Sequence, residues 1–147
     1  YRCKLIALGT NTDPYQPVED RMEITRSLLG VLAEHNHPVE IVTKSQRVVR
    51  DIDLLAPMAE KGLARVNLSV TTLDRKLARG LEPRATPPAR RFDTVRALAD
   101  AGIPVGVMIA PIIPAVAIKY FSGTTLFFHA EGPGKQYCCT GKEFICD

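Results

Sequence analysis

Apolar positions in this chain come in blocks, each with its own period. Leu5-Ile6-Ala7-Leu8 is an unbroken apolar run that stops at Gly9 and gives way to a polar patch, Thr10 to Glu19, stiffened by Pro14 and Pro17. Such a run predicts a strand over 4–8 buried on both faces, the kind found in parallel sheets. Helical spacing follows. Ile24, Leu28, Val31 and Leu32 recur on one face and predict a helix over about 21–35. Asp20 with Glu23 makes a capping-box-like start, and Pro38 forbids continuation past His37. Val39–Thr43 predicts a second strand. Val48, Ile52, Leu55 and Ala59 share a face of a second helical region over 47–61, with Asp51 or Asp53 as candidate cap. Pro57 should kink that helix or delay its start, and Gly62 suits the position just past its end. Val66, Leu68 and Val70 then alternate with Asn67, Ser69 and Thr71, a third strand over 64–72 whose polar face points into a lumen or site. A short helical stretch over 73–81 and a proline-stiffened loop over 82–88 lead to Pro88, placed at the first position of a helix over about 88–101. Its expected apolar face is Phe92, Val95, Leu98 and Ala99. Residues 103–109 are the fourth strand.

The order β-α-β-α-β-α-β, with connections long enough for parallel crossovers, places the chain in the α/β class, as an open sheet or a piece of a barrel. The rhythm stops near Val116. Residues 117–147 hold four of the five Phe, three of the four Cys and four of the ten Gly, and read as a segment foreign to the domain before it. A hairpin about Ser122-Gly123 or a single strand over 120–129 is expected there, with a loop at Gly132-Pro133-Gly134.

Composition narrows this little. At 147 residues, 46% hydrophobic and 24% charged, the chain has the make-up of one ordinary globular domain, and a net charge of +3 does not by itself argue for nucleic acid. No apolar run approaches the roughly 20 residues of a membrane span. Tyr1-Arg2-Cys3-Lys4 is not a signal peptide and lacks an initiating Met, so residues are expected upstream. Cys3, Cys138, Cys139 and Cys146 form no readable disulfide framework, which makes a cytoplasmic protein the default expectation.

The candidate chemistry lies at the strand ends. Thr10, Thr12 and Asp13 follow the first strand, Lys44 and Ser45 the second, and Ser69, Thr71 and Thr72 end the third. In parallel sheets that edge binds ligands. A carboxylate, hydroxyls and an ammonium on one rim suit a ligand with both charges, such as an amino-acid moiety, although Asp and Thr are also ordinary loop residues there. Glu82 and Arg84 flank Pro83 and can reach over the rim, or form an exposed ion pair. Between Asp74 and Arg96 seven Lys/Arg face three acids, a stretch that can meet phosphates or form a solvated face. No metal site is expected from His35 and His37, or from Cys138, Cys139 and Cys146, which lack a CxxC pair.

In combination, G-T-N-T-D-P-Y-Q-P-V-E (9–19), V-T-K-S (42–45), R-D-I-D-L-L (50–55), N-L-S-V-T-T (67–72), L-E-P-R-A-T-P (81–87) and A-G-I-P-V-G-V-M-I-A-P-I-I-P (101–114) resemble the radical S-adenosylmethionine (SAM) superfamily, in the branch that includes spore photoproduct lyase. The resemblance covers about residues 1–116. It implies a partial (βα) barrel, strands two to five of six. It also implies a [4Fe-4S] cluster on three cysteines spaced C-x3-C-x2-C, and reductive cleavage of SAM to a 5′-deoxyadenosyl radical. Carried over by position, Thr12 and Asp13 meet the methionyl end of SAM, Lys44 its carboxylate, Ser69 and Thr71 the ribose, and 108–112 the adenine. The cysteine motif is absent from this chain, which is therefore expected to be a fragment that binds no cluster and is inactive alone. Three functions stay open: a radical SAM enzyme with a nucleic-acid lyase or repair-type reaction in the parent protein, a non-enzymatic nucleotide- or SAM-binding module, and a nucleic-acid-binding fragment using 74–96. Exposed sheet edges lead us to expect self-association.

Overall fold

Residues 2–109, 126–129, 136–140 and 143–144 are described by the structure, a computed structural model. The chain divides into two compact units, Tyr1–Ala110 and Pro111–Asp147. In the first, β1 (Ile6–Leu8), β2 (Val39–Thr43), β3 (Ala64–Ser69) and β4 (Val105–Met108) form a four-stranded sheet in the order β1-β2-β3-β4. All neighbours are parallel, with Ile6 opposite Val39, Val39 opposite Ala64 and Val66 opposite Val105. Sequential order matters. Right-handed crossovers that always step the same way leave every connecting helix on one face. The core bears this out: Val39, Ile41, Val66 and Leu68 meet Leu29, Leu32, Val48, Leu55, Met58 and Leu98 in one buried cluster. The sheet is the wall of a partial barrel, which decides between the two architectures left open above. On its other face Glu40 accepts hydrogen bonds from Asn67 Nδ2 (2.6 Å) and Arg65 Nε (3.1 Å).

β2 forms over the residues expected of it. β1 is shorter than expected and is not buried on both faces: Ala7 is exposed, and Ile6 and Leu8 are half-buried. Leu5 is 51% exposed. The helix expected over 21–35 is broken. A single turn, α1 (Glu19–Met22), ends at Glu23, whose φ of 47° is left-handed, and α2 (Ile24–Glu34) starts afresh. Glu19, not Asp20, caps the second piece: its buried carboxylate accepts from the Thr25 N–H (3.1 Å). Asp20 instead binds Arg47. The restart also turns the helix. Thr25, Leu29 and Leu32 are buried, while Ile24 and Val31 are 59% and 54% exposed.

The second helical region opens with a 3-10 segment (Gln46–Asp51) capped by Ser45, whose hydroxyl accepts from the Arg47 N–H, and continues as α3 (Ile52–Glu60) around Pro57. Asp51 stands at the N-cap position of α3, as one of the two expected candidates, but makes no side-chain capping bond there. Asp51 is buried and accepts from the Tyr15 hydroxyl (2.9 Å) and from Arg26 (3.0 Å) and Arg50 (3.0 Å), and Asp53 pairs with Arg26 at the surface. These bonds strap the loop after β1 to the start of α3. α4 (Arg75–Leu81) is capped by Asp74, which accepts from the N–H groups of Lys76 and Leu77, and α5 (Pro88–Asp100) has Pro88 at its first turn as expected. The buried face of α5 is Pro88, Arg91, Thr94 and Leu98, with Phe92 left 42% exposed. Two polar residues displace the apolar ones because both find partners: the Thr94 hydroxyl donates to the Arg90 carbonyl, and Arg91 binds the groups described below.

In the second unit β5 (Leu126–His129), β6 (Gln136–Thr140) and β7 (Glu143–Phe144) form an antiparallel sheet. The turn expected about Ser122-Gly123 and the loop at Gly132-Pro133-Gly134 lie outside the described residues.

Gly9 makes the first loop possible. Its φ of 94° is left-handed, and a Cβ there would run into the carbonyl oxygen of Val42. We expect Gly9→Ala to cost about 2–4 kcal/mol of unfolding free energy, from backbone strain plus overpacking, read as a lowered urea midpoint at unchanged slope.

Candidate functional site: the C-terminal rim of the sheet

Parallel strands all end at one edge, and their last backbone groups leave the hydrogen-bond ladder there. Side chains of the following loops meet those groups. Asp13, after β1, is one such bracket. Its Oδ1 accepts from the Tyr15 N–H (2.9 Å) and the Thr43 hydroxyl (2.7 Å), and its Oδ2 accepts from the Lys44 N–H (2.8 Å). The Thr43 hydroxyl in turn accepts from the Ser45 N–H (3.0 Å). The carboxylate thus joins the loop after β1 to the end of β2, with most of its acceptor capacity used.

The Lys44 side chain reaches the other way. Its Nζ lies 2.8 Å from Glu82 Oε1, which also accepts from the Thr71 hydroxyl (3.0 Å). Glu82 Oε2 accepts from Arg91 Nη2 (2.6 Å). Arg91 is 1% exposed; its Nη1 donates to the Ser69 carbonyl and its Nε to the Thr86 carbonyl, both at 2.6 Å. The Thr86 hydroxyl accepts from the Gln46 N–H (3.1 Å), tying this loop to the start of the 3-10 segment that follows β2. Burial pushes the Glu82 carboxyl pKa up, but hydrogen bonds from Lys44 and Arg91 outweigh it and hold the group below the ordinary carboxylate range.

Asp13, Lys44, Ser69, Thr71 and Glu82 therefore stand on one connected rim. Thr10, Thr12 and Arg84 are exposed and lie outside that hydrogen-bonded set. Arg91 and Thr86 were not singled out from the sequence. A signal for Arg91 existed: it lies three and seven residues before Thr94 and Leu98, on the face that carries Leu98. Chemically the rim offers a half-buried ammonium, Lys44, beside a carboxylate with a second, fixed cation behind it. An arriving anion can share Lys44 without leaving Glu82 unpaired.

The sequence model of the radical SAM superfamily matches residues 1–126. The chain belongs to the radical SAM superfamily. The match runs past residue 116, where the sequence-based boundary was drawn. This radical SAM chain is 36% identical over 114 residues to an uncharacterized protein of Mycobacterium tuberculosis, covering 78% of this chain and 34% of that protein. It is 33% identical over 119 residues to an uncharacterized protein of Acidianus two-tailed virus, covering 81% and 38%. It thus spans little more than a third of the length of these relatives. In fold it is similar to a cysteine-to-alanine mutant of spore photoproduct lyase (TM-score 0.63, 17% identity, 82% of this chain and 35% of that one). It is likewise similar to spore photoproduct lyase complexed with dinucleoside spore photoproduct (TM-score 0.61, 19% identity, 82% and 35%).

A [4Fe-4S] cluster does not fit the residues present. The 147 residues contain no C-x3-C-x2-C, and among the described residues no group of three or more His, Cys, Asp or Glu is arranged to hold a metal ion. Among the described residues no helix is long and apolar enough to cross a membrane.

Because the Glu82 pKa is lowered on folding, its ionised form stabilises the native state above the unfolded-state value, about 4.3, and that contribution disappears as pH falls through the lower folded-state value. We expect Glu82→Gln to be less stable than wild type at pH 7 and the gap to narrow below pH 4, measured by urea unfolding across that range.

Proposed function

We propose that this chain is the SAM-binding wall of a radical SAM enzyme whose cluster ligands lie outside these residues. The observation that carries this reading is the convergence of Asp13, Lys44, Thr71 and Glu82 on the C-terminal rim of a sequential parallel sheet in a chain of this superfamily. When bound, SAM in this superfamily is cleaved to a 5′-deoxyadenosyl radical, and no part of that electron transfer falls to the residues present. Their work is placement. Lys44 would take the SAM carboxylate, with Glu82 kept charge-balanced by Arg91. Thr71 and Glu82 would face the ribose hydroxyls, with Ser69 beside them. Thr10 and Thr12, exposed beyond Gly9, would meet the methionyl end, while Asp13 holds their loop against β2. For the parent protein we propose a nucleic-acid lyase or repair-type reaction, a reading supported by the likeness of fold to spore photoproduct lyase bound to a dinucleoside photoproduct.

The test uses the protein encoded by the intact reading frame, reconstituted anaerobically with iron and sulfide, reduced with dithionite and given SAM. We expect 5′-deoxyadenosine, and a SAM affinity about 10–100-fold weaker in Lys44→Met, as loss of one charge-assisted hydrogen bond requires. SAM binding by calorimetry with no 5′-deoxyadenosine would favour the non-enzymatic module. Stoichiometric cluster uptake by the 147-residue chain alone would refute the assignment of the cluster to residues elsewhere.

A further inference from the structure

Beside the rim, and sharing Glu82, Thr86 and Arg91 with it, α4 and the loop into α5 line a further cavity. It measures about 130 Å3, and Arg75 and Arg79, one helical turn apart on α4, both line it. Facing them is the segment from Pro83 to Pro88, whose prolines at 83, 87 and 88 hold that wall stiff. Arg91 and Glu82 also contribute.

The charge balance of this lining is uneven. Three guanidinium groups stand against one carboxylate, and that carboxylate is already met by Arg91, Lys44 and Thr71. Arg91 is equally committed, to Ser69, Thr86 and Glu82. Among the described residues Arg75 and Arg79 have no acidic partner, and the adjoining Asp74 serves as the α4 cap. A solvated basic face would splay its charges outward. Arg75 and Arg79 are exposed, yet both line one concave space whose other lining residues include Pro83, Pro87 and Pro88, so that wall is already ordered when an anion enters.

We propose that this cavity binds a phosphate group. Guanidinium forks at positions i and i+4 suit several oxygens of one tetrahedral anion, and each can donate two parallel hydrogen bonds. The phosphate belongs either to a mononucleotide-like monoester or to a nucleic-acid backbone, and the same chemistry serves both. The site adjoins the rim through Glu82 and Arg91, but the proposal does not rest on the SAM reading. Its assay contains no SAM, so either proposal can fail without the other.

The test measures binding of a labelled short single-stranded oligonucleotide to the intact protein by fluorescence anisotropy across a salt series. A parallel calorimetric arm uses inorganic phosphate and adenosine 5′-monophosphate. The double variant Arg75→Gln/Arg79→Gln is compared with Arg84→Gln/Arg96→Gln, which removes the same charge from exposed positions of the same stretch that do not line the cavity. We expect the cavity pair to weaken oligonucleotide binding about tenfold and to flatten the dependence of log K on log salt by about one. We expect the control pair to cost less than about threefold, and Arg75→Lys/Arg79→Lys to recover only part of the binding, because an ammonium cannot supply a guanidinium's paired hydrogen bonds. Far-ultraviolet circular dichroism checks that all variants stay folded. Cavity-dependent binding of the monoesters with no oligonucleotide binding supports the site and names a free phosphate ligand. Equal losses in the two glutamine variants would overturn the proposal in favour of diffuse charge, and so would binding of neither ligand class.

Discussion

A guanidinium with almost no water around it holds this rim together. Taking Arg91 out of solvent costs several kcal/mol, which is offset only if its donors are met with good geometry. They are met by the Ser69 carbonyl at the end of β3, the Thr86 carbonyl in the loop before α5, and the Glu82 carboxylate just after α4. Three pieces of chain thus converge on one charge carried by a fourth, and none can shift without leaving that charge uncompensated. Glu82 passes the constraint on. Its other oxygen takes Lys44 from beyond β2 and the Thr71 hydroxyl, so the mouth of the sheet is set by a buried ion rather than by apolar packing.

The same logic operates beneath the first loop. Asp51 is fully buried and is matched by the Tyr15 hydroxyl, Arg26 and Arg50. Burial first, then the neighbouring Asp51 carboxylate, pushes the Tyr15 pKa far up, so the hydroxyl stays a donor at every physiological pH. Between the two buried ions lies Asp13, joining loop to strand end. Residues with the look of ligand groups divide accordingly. Asp13 positions its neighbours, Lys44 is shared between a fixed partner and the solvent side, and Thr10 and Thr12 remain at the surface.

Where local pattern and tertiary role coincided, the sequence was legible. Val39–Thr43, walled by His37-Pro38 and Lys44-Ser45, could be little but a strand, and it is one. Pro88 marked a helix start because its missing N–H costs nothing there. The helix faces were less readable. α2 carries Leu28, Leu29, Val31 and Leu32, apolar on more than one side, and periodicity cannot tell which side meets the sheet. Glu23 in the left-handed region restarts that helix, a choice tied to the Glu19 carboxylate, which is used six residues away. On α5 an Arg and a Thr took the buried face from Phe92 because their polar groups found partners, Arg91 across the fold and Thr94 on the preceding turn of its own helix.

By itself, then, the sequence determined the alternation of strands and helices, the α/β class, the family likeness and the strand ends where polar residues gather. Those are properties of spacing along the chain. Only the tertiary structure decided that the helices share one side of the sheet, that Asp13 spans two loops and that Arg91, not the nearby Arg84, supports Glu82. The reason is physical: a buried charge is defined by its partners, and those of Arg91 lie 22 residues back at Ser69 and nine back at Glu82, beyond the reach of any local period.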